Sequence, residues 1–559
     1  MLSWEIPHRV ILCAAMALLP LTSLKADPAS QQLREQQQGL HQQERLQQLE
    51  RWQRAPLIEP HADYDTANPR RGSRCWSITG VRLDGNRHLG QAQLQPVVQA
   101  LSQPCMGVAD IQRLLVGLTQ RYVEAGYPTA RPYLARYPEH GQPLDITLVE
   151  GFIESIELAD PDLPLSLRGA FPDIPGNALY LPDLEQGLDQ LNRLRAYDLG
   201  IELLPGTQLG GTRVIVEPRR VSAPWHLDAR FDNRGSALTG RHRLSLGLGL
   251  DSPLGLNDDL RLSLVSTVFD APGRSQGASL YYGLPYGPWT FSLNASQMRY
   301  HAPLAQTRFT SSGQSELFAL GSERVLWRNQ RGMLSASARV EHKQLTNHIG
   351  RTLIALQSPT LSSVEAGLNL LWLDHGLWSA YAGVSQGVDW FGADQPLPDA
   401  RAPRPDFTKY RANLLHLRQG SAQWPWHWQS ELALQYSRDL LPAVEQVQLT
   451  DHTAVRGFRQ HTMAGASAAV WRNTLSQPLP LDWARPLQMR PSIGLDIGWT
   501  RFSQDSPSQR LASASAGLEL TLPPTSRLRL DYQQALYASD RPTKTLEKGF
   551  WVMEWTLAL

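Results

Sequence analysis

Arg241-His242-Arg243-Leu244-Ser245-Leu246-Gly247-Leu248-Gly249-Leu250-Asp251 carries an apolar side chain at every second position over most of its length. Leu244, Leu246, Leu248 and Leu250 share one face, and Arg243, Ser245, Gly247 and Gly249 share the other. A period of two is the mark of a β-strand with unlike faces. The same alternation runs through His226–Asp232, where Leu227, Ala229 and Phe231 oppose Asp228, Arg230 and Asp232. In Leu260–Phe269, Leu260, Leu262 and Leu264 alternate with Arg261 and Ser263. In Ser526–Gln533, Leu528, Leu530 and Tyr532 oppose Arg527, Arg529, Asp531 and Gln533. The last residues put Trp551, Met553, Trp555, Leu557 and Leu559 on one face. A soluble sandwich and a barrel in lipid both alternate, so the pattern alone leaves two architectures. The length of the region, its Trp usage and a secretory start select a closed sheet with an apolar outside and a polar bore. Trp424, Trp426 and Trp428 share one parity, which predicts part of an interfacial aromatic girdle. About 335 residues at roughly 21 per strand and loop give about 16 strands, an even number as bacterial single-chain barrels have.

Composition agrees. The 559 residues hold 53 Lys+Arg against 52 Asp+Glu, which argues against a nucleic-acid partner. Only 19% are charged, below the soluble average of about 25%. A mean hydropathy of -0.33 argues equally against a bundle of membrane helices. No nucleophile elbow, zinc-helix motif or metal-spaced cysteine set appears, and the 15 His are scattered. The expectation is a chain with no catalytic residues, no metal and no cofactor, against the rival of an outer-membrane lipase or protease.

The N-terminus gives the compartment. His8 and Arg9 precede an apolar run, Val10 to Leu21, and Leu24-Lys25-Ala26 offers a cleavage point. The run is about a dozen residues, too short for the roughly 20 of a membrane helix, and reads as a secretory signal over 1–26. Removing it takes Cys13 away and leaves Cys75 and Cys105, an even pair in an oxidising compartment. Their disulfide, closing about thirty residues, is worth roughly 3–4 kcal/mol in the chain-entropy model.

Between signal and barrel the chain changes character. Residues 27–55 are rich in Gln, Arg and Glu, with a thin stripe of Leu33, Leu40, Leu46, Leu49 and Trp52, which predicts one polar helix. That helix is either a solvated coiled-coil fragment or a guest in a polar cavity. Residues 56–74, with Pro56, Pro60 and Pro69, form a linker. Residues 75–150 predict a βααββ module: a strand at Ser77–Leu83, a helix with Leu94, Val97, Val98 and Leu101, and a second helix capped by Asp110 and ended by Gly126. Strands at Ala130–Leu134 and Leu144–Val149 complete it. Residues 151–218 repeat the order, with strands at Ile153–Leu158, Ile201–Leu204 and Thr212–Val216 and a helix marked by Leu184, Leu188, Leu191 and Leu194. Open sheet edges on such modules can pair with an extended guest strand, or pack on each other.

Two stretches of the barrel region stand apart. Leu440-Leu441-Pro442 and Glu445-Gln446 lead into Val455-Arg456-Gly457-Phe458 inside a long irregular segment. Further on, Ile493–Trp499 reads as a strand with Ser492, Gly494, Asp496, Gly498 and Thr500 facing inward. The two glycines leave room beside Asp496 for an arriving side chain, which an Arg on a loop could fill. On the residues alone, two unrelated lumen charges remain the simpler reading.

Taken together, these features resemble the outer-membrane pore of two-partner secretion, the TpsB type of the hemolysin secretion/activation family, in the superfamily of barrels with periplasmic POTRA modules. The resemblance spans nearly the whole chain. It implies a signal peptide (1–26), a plug helix (27–55), a linker (56–74), POTRA 1 (75–150), POTRA 2 (151–218) and a transmembrane barrel (219–559) whose loop near 440–470 folds inward. The family's loop 6 motif matches Val455, Arg456, Gly457 and Phe458, and its wall motif matches Gly494, Asp496 and Gly498. By similarity, Arg456 and Asp496 form the salt bridge that anchors the loop. Asp232-Asn233-Arg234-Gly235, Leu284-Pro285-Tyr286-Gly287 and Gly151 match further family positions. The chain departs where Asp451 and His452 replace a common Gly-Gly pair, where Thr474 replaces an acidic residue, and where Leu559 replaces a terminal aromatic. The implied function is export of an unfolded exoprotein bearing an N-terminal secretion domain across the bacterial outer membrane. Outer-membrane lipid and the barrel-assembly machinery are the other implied partners. The alternative is an insertase of the same superfamily, which assembles other barrels. The cargo class, whether adhesin, hemolysin or growth-inhibition toxin, is not written in these residues.

Overall fold

The computed structural model describes residues 75–559, apart from 270–271, 305–307, 400–401, 451, 483–485 and 523–524, together with residues 29–31, 33, 34 and 37. The expected signal segment, most of the expected plug helix and the linker lie outside the described residues.

Sixteen long antiparallel strands close into a barrel, from Trp225–Asp232 to Phe550–Ala558. Two short segments, Thr352–Leu353 and Leu479–Asp482, pair onto it as well. The first and last strands meet in register, with Asp232 opposite Glu554 and Asp228 opposite Ala558. Closure leaves no strand edge in lipid, where unpaired backbone groups are costly. Alternation sorts the faces as the sequence predicts: Ile493 is 63% exposed on the lipid side and Asp496 is 1% exposed on the lumen side. Inward charges are matched along the wall. Arg411 pairs with Glu365, Arg529 Nε lies 2.8 Å from Asp531, and Arg490 lies 3.8 Å from Glu519. One detail of the girdle differs. Trp424 and Trp426 sit before strand His427–Ser437, and only Trp428 belongs to it. Pro425 between them has no N–H to give to a ladder, so the chain turns there instead.

The first module is a four-stranded sheet ordered Cys105–Met106, Trp76–Asp84, Gln142–Val149, Arg131–Leu134. It is covered by helices α1 (Gln91–Leu101) and α2 (Val108–Glu124). Leu94 and Val98 of α1 meet Leu114, Leu118 and Tyr122 of α2 over Leu144 and Ile146. The start of α2 differs from the sequence expectation. Gly107 is its N-cap, and Asp110 is the third helical residue, its carboxylate accepting the Gly107 N–H at 2.8 Å. A carboxylate in the first turn answers the free N–H groups and the helix dipole from either position. Gly126 ends the helix with φ +94°. The Cys75–Cys105 disulfide forms, with Cα atoms 5.4 Å apart, and ties the short edge strand to the start of the module.

The second module repeats the first incompletely. Its sheet is Phe152–Leu158, Gly211–Val221, Tyr197–Pro205, and its long helix is α3 (Leu181–Asn192). A single turn, Leu167–Ala170, stands where a first helix is expected. Pro161, Pro164, Pro172 and Pro175 crowd that segment and leave no room for a longer one. This module is bonded to the barrel mouth. Ser166 and Asn257 exchange two hydrogen bonds of 2.8 Å, the Ala196 N–H donates to Asp251 at 2.8 Å, and Arg193 lies 2.8 Å from Asp259 with both side chains buried.

Candidate functional site: a loop and a helix in the barrel lumen

Strand Pro486–Arg501 supplies the wall. Its period of two aims Asp496 into the lumen, and Gly494 and Gly498 clear the space on either side. A Cβ on Gly494 would lie 2.5 Å from an Arg456 Nη2, and one on Gly498 would lie 2.5 Å from Leu449 and 2.6 Å from Val455. Both glycines are therefore demanded by what packs over them.

Residues 438–466 form the loop that leaves strand His427–Ser437 and returns to strand Ser467–Ser476. It folds into the lumen as a hairpin, with Val447 and Gln448 paired to Gly465 and Ala464. Arg456 stands at its tip. Its Nε donates to Asp496 Oδ2 at 2.7 Å, its Nη2 to Oδ1 at 2.6 Å, and its backbone N–H to Oδ2 at 3.0 Å. Nη2 also donates to the Asn473 carbonyl and the Thr474 hydroxyl, each at 3.3 Å. The guanidinium grips the carboxylate through two parallel bonds, the stronger geometry for such a pair. Both side chains are buried, at 5% and 1% exposure, so neither has water to turn to. Gly457 adopts φ +91°, and its N–H donates to Gln533. Val455 and Phe458 pack with Leu449, Val470 and Leu511 in an apolar cluster that holds the tip from the other side. The structure thus brings together Val455, Arg456, Gly457, Phe458, Gly494, Asp496 and Gly498. Cys75 and Cys105 lie apart, in the first module.

A second ionic anchor lies at the base of the loop. Glu445 accepts from Lys343 Nζ at 2.7 Å and from Lys409 Nζ. Lys343 also lies 2.9 Å from Glu341. In the sequence Glu445 stands out without a legible role, and neither lysine stands out at all. Their inward parity was legible, but the loop that meets them was not.

The described residues of the N-terminal segment are helical and lie in the same lumen. Ala29 and Leu33 pack against Tyr300, Leu317, Leu345 and Leu361 of the wall and Val444 of the loop. Arg34 donates to the Ala443 carbonyl and, at 3.1 Å, to Gln448 Oε1. Gln37 reaches Glu341 at 3.3 Å. These contacts set the described residues of the segment against the barrel wall and the loop. Helix, loop and wall meet within two residues of Glu445.

A separate polar cluster sits at the boundary of the two modules. Glu150 accepts the His88 backbone N–H at 2.8 Å and the Tyr122 hydroxyl at 2.9 Å, and it faces His88 Nδ1 at 2.6 Å. Burial pushes its carboxyl up, but these three partners outweigh burial and hold it below the usual carboxylate range.

Comparison with known proteins adds an independent line. The family of the haemolysin secretion/activation protein ShlB/FhaC/HecB matches residues 210–520. An ShlB-type POTRA domain matches 76–151, and a further POTRA domain matches 152–205. The chain is 36% identical over 434 residues to the hemolysin transporter protein HpmB of Proteus mirabilis, covering 76% of this chain and 75% of that protein. It is 36% identical over 471 residues to the hemolysin transporter protein ShlB of Serratia marcescens, covering 83% and 81%. The solved structure of CdiB from Escherichia coli matches with a TM-score of 0.87 at 25% identity, over 96% of this chain and 100% of that one. These relatives are transporters.

Proposed function

The chain belongs to the haemolysin secretion/activation family and is an outer-membrane transporter with its N-terminal modules in the periplasm, and from that premise we propose how it moves its cargo. The cargo is a secreted exoprotein with an N-terminal secretion domain. It arrives unfolded and docks by strand addition on a module edge, for which Cys105–Met106 and Arg131–Leu134 are the outer strands of the first sheet. It then threads through the lumen in extended form. The resident helix leaves first, and the loop shifts or stays on its Arg456–Asp496 tether. Folding of the cargo outside supplies the bias. The barrel reaches its lipid through the barrel-assembly machinery, and its chemistry is transport rather than catalysis.

The observation that supports this reading most directly is the occupied bore. Ala29, Leu33 and Arg34 and the loop around Arg456 are buried inside the barrel, held by bonds that water could replace once they move. A static enzyme scaffold has no use for a helix and a loop that fill its own barrel. The test is secretion of a co-expressed exoprotein that carries such a secretion domain, in cells with and without this chain. Appearance of the exoprotein outside only when the chain is present supports the proposal. Equal export in both cells overturns it.

A further inference from the structure

The Asp232-Asn233-Arg234-Gly235 stretch has no part in the tether, yet Asp232, Asn233 and Arg234 each make a side-chain contact. It stands where the first strand ends at the outer rim, beside the last strand. The backbone ladder of this closing seam has five register pairs, and the last of them is Asp232 with Glu554. Beyond that pair the Asn233 N–H still donates to the Met553 carbonyl at 3.3 Å, and the Asn233 side chain extends the ladder. Asn233 Oδ1 accepts the Met553 N–H at 3.0 Å, and its Nδ2 donates to the Trp551 carbonyl at 3.1 Å. The amide side chain thus adds a donor and an acceptor to the backbone bond at the end of the seam. Arg234 crosses the same seam to Glu554 at 3.1 Å. Asp232 is held in turn by Arg243 at 3.0 Å and by the Arg234 N–H at 2.9 Å.

The in-folded loop closes this arrangement from inside the rim. Arg459, three residues after Arg456, donates to the Asn233 carbonyl at 3.3 Å and to the Trp551 carbonyl at 3.1 Å, so one guanidinium holds both strands of the seam. Its charge also lies 4.1 Å from the ring centre of Phe550. The backbone that carries it is fixed by Glu547, which precedes the last strand. Glu547 accepts three successive N–H groups, from Arg459 at 2.9 Å, Gln460 at 2.8 Å and His461 at 2.6 Å. Consecutive N–H groups converging on one carboxylate form an anion nest, which sets the direction of the chain between them.

We infer that the loop is the clasp of the barrel seam: Arg459, seated by Glu547, staples the Asn233 end of the first strand to the Trp551 end of the last. The loop's place in the lumen and the closure of the barrel wall are then one equilibrium. Arg459 is a positioning residue in this scheme, acting on backbone carbonyls of the wall and not on cargo. The inference builds on the transport reading, but its test needs no cargo, so its failure leaves that reading standing.

The test is hydrogen exchange of the full chain in detergent micelles, comparing seam amides at 226–232 and 552–557 with those of the remote strand Thr360–Leu373. In Arg459→Ala the seam exchanges roughly tenfold faster or more while the remote strand does not change. Arg459→Lys, which keeps the charge but replaces the planar Nη2 that reaches both carbonyls with an ammonium, gives an intermediate rate. A cysteine pair at the register partners Arg230 and Thr556, once oxidised, restores protection in the Arg459→Ala chain. Seam exchange equal to the parent chain in Arg459→Ala, or no restoration by the cross-link, overturns the inference. If Arg459→Ala does not insert, Glu547→Gln carries the same comparison with the same two outcomes.

Discussion

Replacing Arg456 by alanine removes both guanidinium bonds to Asp496 and leaves the carboxylate, 1% exposed, with the backbone N–H of residue 456 as its remaining partner in the pair. Taking one partner from a buried pair costs about 3–5 kcal/mol, because the stranded charge has no water to return to. That cost falls on the in-folded loop, since a loop that swings away lets water reach Asp496. The population of the in-folded state relative to the released one should drop by roughly a hundred- to a few-thousand-fold. Asp496→Ala strands the guanidinium instead, and the Asn473 carbonyl and Thr474 hydroxyl soften the loss. The double variant strands neither charge, so its cost should fall well short of the sum of the two single ones. The assay is secretion of the co-expressed exoprotein, with heat-modifiable gel mobility reporting barrel insertion. Both single variants should insert and fail to secrete. Normal secretion by both single variants would refute the tether, and additive losses in the double variant would refute the pairing energy.

Deleting Gln31–Trp52 should raise ion conductance in planar bilayers, since Leu33 and Arg34 then leave the bore; unchanged conductance removes the plug assignment. Cys75→Ser with Cys105→Ser should lower the stability of the first module by about 3–4 kcal/mol, read as faster exchange of the amides of α1 and α2. The Glu150 carboxyl sits below the usual range when folded, so its contribution to that module is complete above the ordinary carboxylate pKa of about 4.3 and is lost as pH falls through the folded value. Protection of the first module's amides, taken relative to the intrinsic exchange rate at each pH, should therefore fall on acidification below that range, and Glu150→Gln should flatten the dependence; an equally steep profile in the variant would refute the assignment.

Much of this was legible in the chain because it rests on short-range rules. Alternation of Leu244–Leu250 with Arg243–Gly249 states which face meets lipid, and the parity of Gly494, Asp496 and Gly498 states which side chains share the lumen. The βααββ reading of the first module follows from apolar spacing in α1 and α2. What lay beyond reach depends on contacts distant in sequence. Nothing around Lys343 or Lys409 announces Glu445, because the three meet only after the loop has folded inward. The second module keeps only the turn Leu167–Ala170 of its first helix, because Pro161, Pro164, Pro172 and Pro175 break the repeat locally. Trp424 and Trp426 kept the right parity for a strand, and Pro425 overruled it. Asn233 and Arg459 sit 226 positions apart, and only barrel closure makes them neighbours.

The matched charges along the bore have a bearing on how a polypeptide slides past them. Arg411 already answers Glu365, and Arg529 already answers Asp531, so a passing segment finds few sites that would gain by seizing it. Friction at these paired sites should be low for acidic and basic stretches alike. Passage should then depend little on ionic strength, and a traveller of mixed composition need not be tailored to the walls through which it moves.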